Sequence, residues 1–134
     1  MSTFEINTKR CWVDVIEFGF GWTMFICFAR EFHSPVGFVW GVLTTTQDDR
    51  TTFDVCGSYV IPAARRNGVR TFINQEILKR ASVITTNFGS DEGGERFLRA
   101  FGYEYDKPTG TWYYVPPNKT SAKKKVSSKK GSRQ

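Results

Sequence analysis

The stretch Tyr59–Ile73, YVIPAARRNGVRTFI, constrains this chain more than any other. A β-branched, strand-like run stops at Pro62, which has no N–H with which to extend a ladder. Arg65 and Arg66 follow, then Asn67-Gly68, a turn dipeptide. Beyond it Val69, Phe72, Ile73, Ile77 and Ala81 recur at helical spacing. A strand that runs through a basic, glycine-containing turn into a helix is a phosphate cradle. The first helical turn has backbone N–H groups without intrahelical acceptors, and the macrodipole adds positive potential there. Gly68 lets an anion approach the backbone, and the two arginines add formal charge.

The segments around this turn set the architecture. Trp22–Arg30, Val36–Thr45 and Thr51–Ile61 read as three strands joined by short turns, an antiparallel meander. Val69–Ala81 reads as a helix and Ser82–Thr86 as a short buried strand. A strand, helix and strand in succession imply a right-handed crossover with parallel pairing. Asp91–Phe101 reads as a second helix stopped by Gly102. Glu104-Tyr105 and Thr111–Val115 close the chain as a hairpin around Lys107-Pro108-Thr109-Gly110. The order β-β-β-α-β-α-β-β predicts an α+β fold with a mixed sheet. Upstream, Phe4 and Ile6 alternate as in a short strand, whereas Trp12, Val13, Val15, Ile16 and Phe18 fit either a strand or one helical face, with Gly19 and Gly21 bracketing a turn. The aromatic string Phe18, Phe20, Trp22, Phe25, Phe28 is expected in the sheet core. Stacking on single-stranded nucleic acid is the alternative, but only Arg30 is near.

Charge divides the chain in two. The 134 residues carry a net +6, yet Lys119, Lys123, Lys124, Lys125, Lys129, Lys130 and Arg133 leave 12 basic against 13 acidic residues in 1–118. The basicity belongs to the tail, so a basic reading surface for nucleic acid on the body is not implied. Residues 119–134 have one apolar residue beyond alanine and are expected to be disordered, with non-specific nucleic-acid contact as their candidate role. Residues 1–118 are expected to form one domain. Cys11, Cys27 and Cys56 are odd in number and widely spaced, and one histidine, His33, accompanies them. That pattern predicts reduced core thiols, with neither a disulfide framework nor a metal site. MSTFEINTKR has no apolar signal core, and no apolar run approaches the ~20 residues that span a bilayer. A cytoplasmic protein without membrane contact is expected.

The cradle resembles a family signature. Pro62-x-x-Arg65-x-x-Gly68-x-Arg70 is similar to the acyl-CoA motif of the GNAT family of N-acetyltransferases, Pro-x-x-(Gln/Arg)-x-x-Gly-x-(Gly/Ala), and departs from it at Arg70. Arg96-Phe97-Leu98-Arg99-Ala100-Phe101-Gly102-Tyr103 resembles the family's second landmark, (Arg/Ala)-Phe-Tyr-x-x-Leu-Gly-Phe, and departs at Leu98, where the family often places a tyrosine that protonates the leaving thiolate. Small phage-encoded GNAT-like relatives also carry Arg-Phe-Leu there. The family opens with a strand and two helices over about fifty residues, whereas about twenty precede Trp22, so one or both of those helices are expected to be absent.

The resemblance implies acetyl transfer from acetyl-CoA to an amine, with a protein or peptide amine weakly favoured. The cofactor would be held by Tyr59, Val60, Arg65, Arg66, Asn67, Gly68, Val69 and Arg70. An N–H near Tyr59 or Val60 would meet the thioester oxygen, and Arg66–Arg70 the pyrophosphate. Arg70 would either clamp a phosphate or fill the cradle. Candidate bases are Asp54, Glu17 and Glu31. Arg70, Leu98 and the short N-terminus together also fit a GNAT-like protein that no longer catalyses, a structural or interaction protein carried by a phage, in the host cytoplasm or the virion.

Overall fold

The computed structural model describes residues 8–46, 48–87 and 92–117. The predicted strand at Phe4 and Ile6 and the tail 119–134 lie outside the described residues. A 3₁₀ turn, Thr8–Arg10, leads into β1 (Cys11–Gly19), β2 (Trp22–Ala29), β3 (Gly37–Thr45) and β4 (Thr51–Val60). A second 3₁₀ turn, Pro62–Ala64, precedes α1 (Val69–Ile77), followed by β5 (Val83–Thr86), α2 (Glu92–Phe101), β6 (Glu104–Asp106) and β7 (Thr111–Tyr114). The strands form one mixed sheet in the order β1-β2-β3-β4-β5-β7-β6. β4 and β5 pair in parallel across the α1 crossover, and every other pairing is antiparallel.

The ambiguous segment before Trp22 is a strand. Cys11 pairs with Ala29 and Glu17 with Thr23, so the β2 ladder decides between two periods that the side chains alone leave open. Gly19, Phe20 and Gly21 turn the chain directly into β2, all with positive φ. No helix therefore stands between β1 and β2. At its other end α1 is shorter than its apolar periodicity. After Ile77 the chain tightens, with Lys79 N–H donating to Glu76 and Arg80 N–H to Ile77.

The core lies on one face of the sheet. Phe25, Val39, Phe53 and Ile84 meet Ile73 and Ile77 of α1 and Leu98 of α2 in one buried cluster, and the Phe25 and Phe53 rings meet edge to face at 5.2 Å. Burying each such side chain contributes about 1.5–3 kcal/mol. Both helices share this face. The predicted core string is corrected accordingly. Phe25 is fully buried, but Trp22 and Phe28 point to the opposite face, Phe18 is 63% exposed and Phe20 is 99% exposed in the turn. Successive strand residues alternate between faces, so with helices on one side β2 can bury only one of its two rows.

One irregularity shapes the centre of the sheet. Trp40 pairs with Gly57 and Gly41 with Val55, leaving Cys56 as an extra residue, a bulge in β4. The bulge draws β4 against Gly41 so closely that a Cβ there would lie 2.0 Å from the Asp54 carbonyl oxygen. Among the described residues, no helix is long and apolar enough to cross a membrane.

Gly41→Ala is expected to destabilise the fold by more than the ~1–3 kcal/mol typical of overpacking, because backbone rather than a side chain must yield. Urea denaturation followed by circular dichroism checks this; an unchanged midpoint would contradict the bulge geometry.

Candidate functional site

β4 and β5 run together only from Thr52↔Val83 to Val55↔Thr86. Past the Cys56 bulge β4 continues with β3 as its sole strand neighbour among the described residues, through Ser58↔Val39 to Val60↔Gly37. The strands thus part, and a cleft of about 870 Å³ occupies the gap. Its walls are the freed edge of β4 with Ser58, Tyr59 and Val60, the start of α1 with Gly68–Thr71, and α2 with Phe97 and Leu98. Alternation assigns the backbone groups. Ile61 N–H donates to the carbonyl of Val36, just before β3, so Tyr59 points the same way, and Val60 and Ser58 turn toward the gap.

The turn at the mouth of the cleft is built from its own polar groups. Arg66 has φ 67° and Gly68 φ 79°. Asn67 Nδ2 donates to the carbonyls of Ala64 (3.3 Å) and Arg65 (3.1 Å). Arg65 Nε donates to the Val60 carbonyl at 2.8 Å, and its guanidinium lies 5.4 Å from the Tyr59 ring centre. Arg65 is thus fastened along β4, while Arg66 is exposed. The helix that follows starts bare. No side chain caps Gly68, and Phe72 N–H to Gly68 is its first turn closure, so the N–H groups of Val69, Arg70 and Thr71 have no intrahelical acceptor.

Arg70 does not swing out to solvent. Its Nη1 donates to Ser58 Oγ at 3.1 Å, and the guanidinium stands 4.9 Å from the centre of the Phe97 ring. It therefore reaches from α1 to β4 and to α2. Its Nε is buried without a hydrogen-bond acceptor, and one turn on the buried Asn74 has Oδ1 in the same condition. Asn74 Nδ2 donates to the Tyr103 hydroxyl at 2.9 Å. Turning the amide over would exchange the two atoms without removing the orphan. Burial pushes the Arg70 guanidinium down from its ordinary value, opposed by Tyr103. Burial likewise pushes the Tyr103 phenol up, opposed by Arg70. Among the described residues no carboxylate pairs with Arg70, whose partners are Ser58, Tyr103 and the Phe97 ring.

The expected site residues divide. Tyr59, Val60, Arg65, Arg66, Gly68, Val69 and Arg70 all line the cleft, and Asn67 shapes the turn behind them. Asp54 does not line it; its side chain is on the sheet face away from the helices, accepting a hydrogen bond from Thr85 Oγ1 at 2.8 Å. Glu17 is on β1, three strands away, 4.0 Å from Arg80. Glu31 follows β2 and His33 is exposed in the connection to β3. Leu98 is 3% exposed at the cleft and carries no proton to give. Ser58, Asn74 and Tyr103 were not singled out from the sequence, although Tyr103 closes the second landmark. Nothing local in the chain marks Ser58 or Asn74, because their partners come from other elements. All three thiols are free, as expected, but only Cys27 is a core thiol, pushed up to about 12 by burial with Cys11 beside it; Cys11 and Cys56 are half-buried.

No family model and no curated protein sequence matches the chain. Solved structures do. A protein of Desulfovibrio desulfuricans assigned as an acetyltransferase of the GNAT family matches at TM-score 0.50 and 14% identity, over 69% of this chain and 68% of that one. The fold is GNAT-like. AtaTR bound with AcCoA aligns over 71% of this chain and 68% of its own, at TM-score 0.45 and 7% identity. Within the GNAT-like frame the departure at Arg70 falls on the first turn of α1, and the departure at Leu98 on the helix facing it across the cleft.

Tyr103→Phe should cost about 1–3 kcal/mol at neutral pH by leaving Asn74 without its partner. A phenol raised in the fold contributes stability that is whole below the unfolded value near 10.0 and is lost as pH rises through the folded one. Urea midpoints above pH 10 should therefore fall for the parent and fall less for the variant; parallel losses would contradict the burial of this hydroxyl.

Proposed function

We propose that the cleft binds acetyl-CoA and that the protein is an N-acetyltransferase working by direct transfer. The observation that carries this is the parting of β4 from β5 beside a bare helix start. An extended arm could pair with the freed edge of β4 while a diphosphate rests on the N–H groups of Arg66 to Arg70. The Arg70 guanidinium, with its Nε buried and unsatisfied and no carboxylate beside it among the described residues, supports an anion at this place.

The reaction requires little machinery. The amine nitrogen attacks the thioester carbonyl, the C–N bond forms, the C–S bond breaks, and the amine proton is lost. The Val60 N–H, turned into the gap, would meet the carbonyl oxygen as it gains charge. With Leu98 in place of an acid, the thiolate leaves unassisted; a thiol of pKa near 8.5 tolerates this. Proton removal falls to water, since the Asp54 carboxylate is on the sheet face away from the cleft. Glu17 stands too far across the sheet to serve. A protein or peptide amine is the acceptor this open site suits.

A second reading rests on Arg70 itself. Its reach to Ser58 crosses the space that the arm would take. In that reading the protein is a GNAT-like scaffold of the phage type, with the lysine-rich 119–134 near nucleic acid.

Calorimetry with acetyl-CoA separates the two. Binding is expected, and at 100 times the dissociation constant it should stabilise the fold by about 2.7 kcal/mol. Arg70→Ala should weaken binding by about tenfold or more if the guanidinium clamps a phosphate. No binding to the parent, with binding restored in Arg70→Ala, would replace the enzyme by the scaffold.

A further inference from the structure

The sheet face opposite the helices is apolar, and no described residue covers it. Trp12 is 49%, Ile16 41%, Trp22 40%, Trp40 36% and Tyr59 45% exposed, and all five stand on it. They form cross-strand rows: Trp12 stacks on Phe28 at 5.4 Å, Trp22 on Trp40 at 5.6 Å, and Phe38 meets Tyr59 at 6.2 Å. Gly57 keeps the row flat, because a Cβ there would lie 2.2 Å from the Trp40 indole nitrogen. We infer that this face is the interface of a homodimer in which two sheets pack face to face.

Area supports a second copy. The exposed parts of the five side chains amount to roughly 500 Å². The half-buried Met24, Ile26, Phe28 and Phe38 between them extend the patch toward the ~800 Å² each partner gives a standard interface. A patch of this extent is at or above the largest that a typical monomer exposes, about 300–600 Å², and such patches commonly mark interaction sites. The terminal segments of this sequence offer little with which to cover it. Residues 119–134 offer Val126 alone beyond alanine, and Met1–Asn7 offer three apolar side chains, enough for one strip of a face four strands wide.

Charge also favours a copy. Arg30 and Arg65 stand where β2 and β4 end, while Asp14 and Asp54 lie farther along the face. A two-fold axis in the interface, across the strands, lays the arginine end of one sheet over the acidic part of the other. The contact is then isologous and closed. Single-stranded nucleic acid would meet those two aspartates on a body with 12 basic against 13 acidic residues in 1–118.

Sedimentation of the full chain from about 1 to about 100 µM tests this, with tryptophan emission read on the same samples. Trp12, Trp22 and Trp40 lie on the face, whereas Trp112 is 6% exposed in the core, so dimerisation should shift emission to shorter wavelength as concentration rises. Ile16→Lys, at the edge strand, and Trp40→Lys, at the centre, should each weaken association about tenfold or more. Circular dichroism confirms folding; if Trp40→Lys unfolds, the more exposed Ile16→Lys carries the comparison. A monomer across the range overturns the inference. So does association that neither substitution weakens, which would place the contact elsewhere.

Discussion

The parting of β4 from β5 is the constraint on which the rest of the site depends. Parallel pairing runs only to Val55↔Thr86, and the extra residue at Cys56 then turns β4 away. Gly41 permits the bulge and Gly57 permits Trp40 to lie across it. Because β3 still holds the far side of β4, the freed edge is not a frayed end. It is a rigid strand with backbone groups of Ser58 and Val60 aimed into a cleft. The same strand delivers Pro62 and the turn that starts α1 without a cap. One local irregularity therefore creates both walls and mouth.

Arg70 gives this cleft its character. A small residue on the first turn of α1 would leave the gap neutral. An arginine fills part of it and brings a charge that no described carboxylate balances. The neighbouring orphan on Asn74 and the phenol of Tyr103 make the floor polar as well. Buried polar groups left unsatisfied are costly and persist where function or a ligand compensates for them. Leu98 works in the other direction, sealing the α2 side of the cleft with an apolar surface.

Much of the fold was legible because its boundaries are chemically punctuated. Pro62, Asn67-Gly68 and Gly102 mark ends that the structure keeps within a residue or two. The cradle was legible for the same reason, since a strand, a basic turn and a helix are contiguous in the chain. β1 was not, because Trp12, Val13, Val15 and Ile16 satisfy both helical and strand periods until β2 supplies hydrogen bonds. The outward aromatic row was missed because alternation tells which residues share a face and not which face the helices cover. The direction of Arg70 was equally beyond local reading, since Ser58 and Phe97 come to it from two other elements.

The central claim is that the amides at the start of α1, together with Arg70, receive a diphosphate in the gap between β4 and β5. Amide NMR during titration with coenzyme A tests it most directly. The account predicts that Arg66–Thr71, Val60 and the Arg70 Nε–H shift together and saturate with one constant. Saturation mapped to any other surface, or no shift at all in these groups, would contradict it.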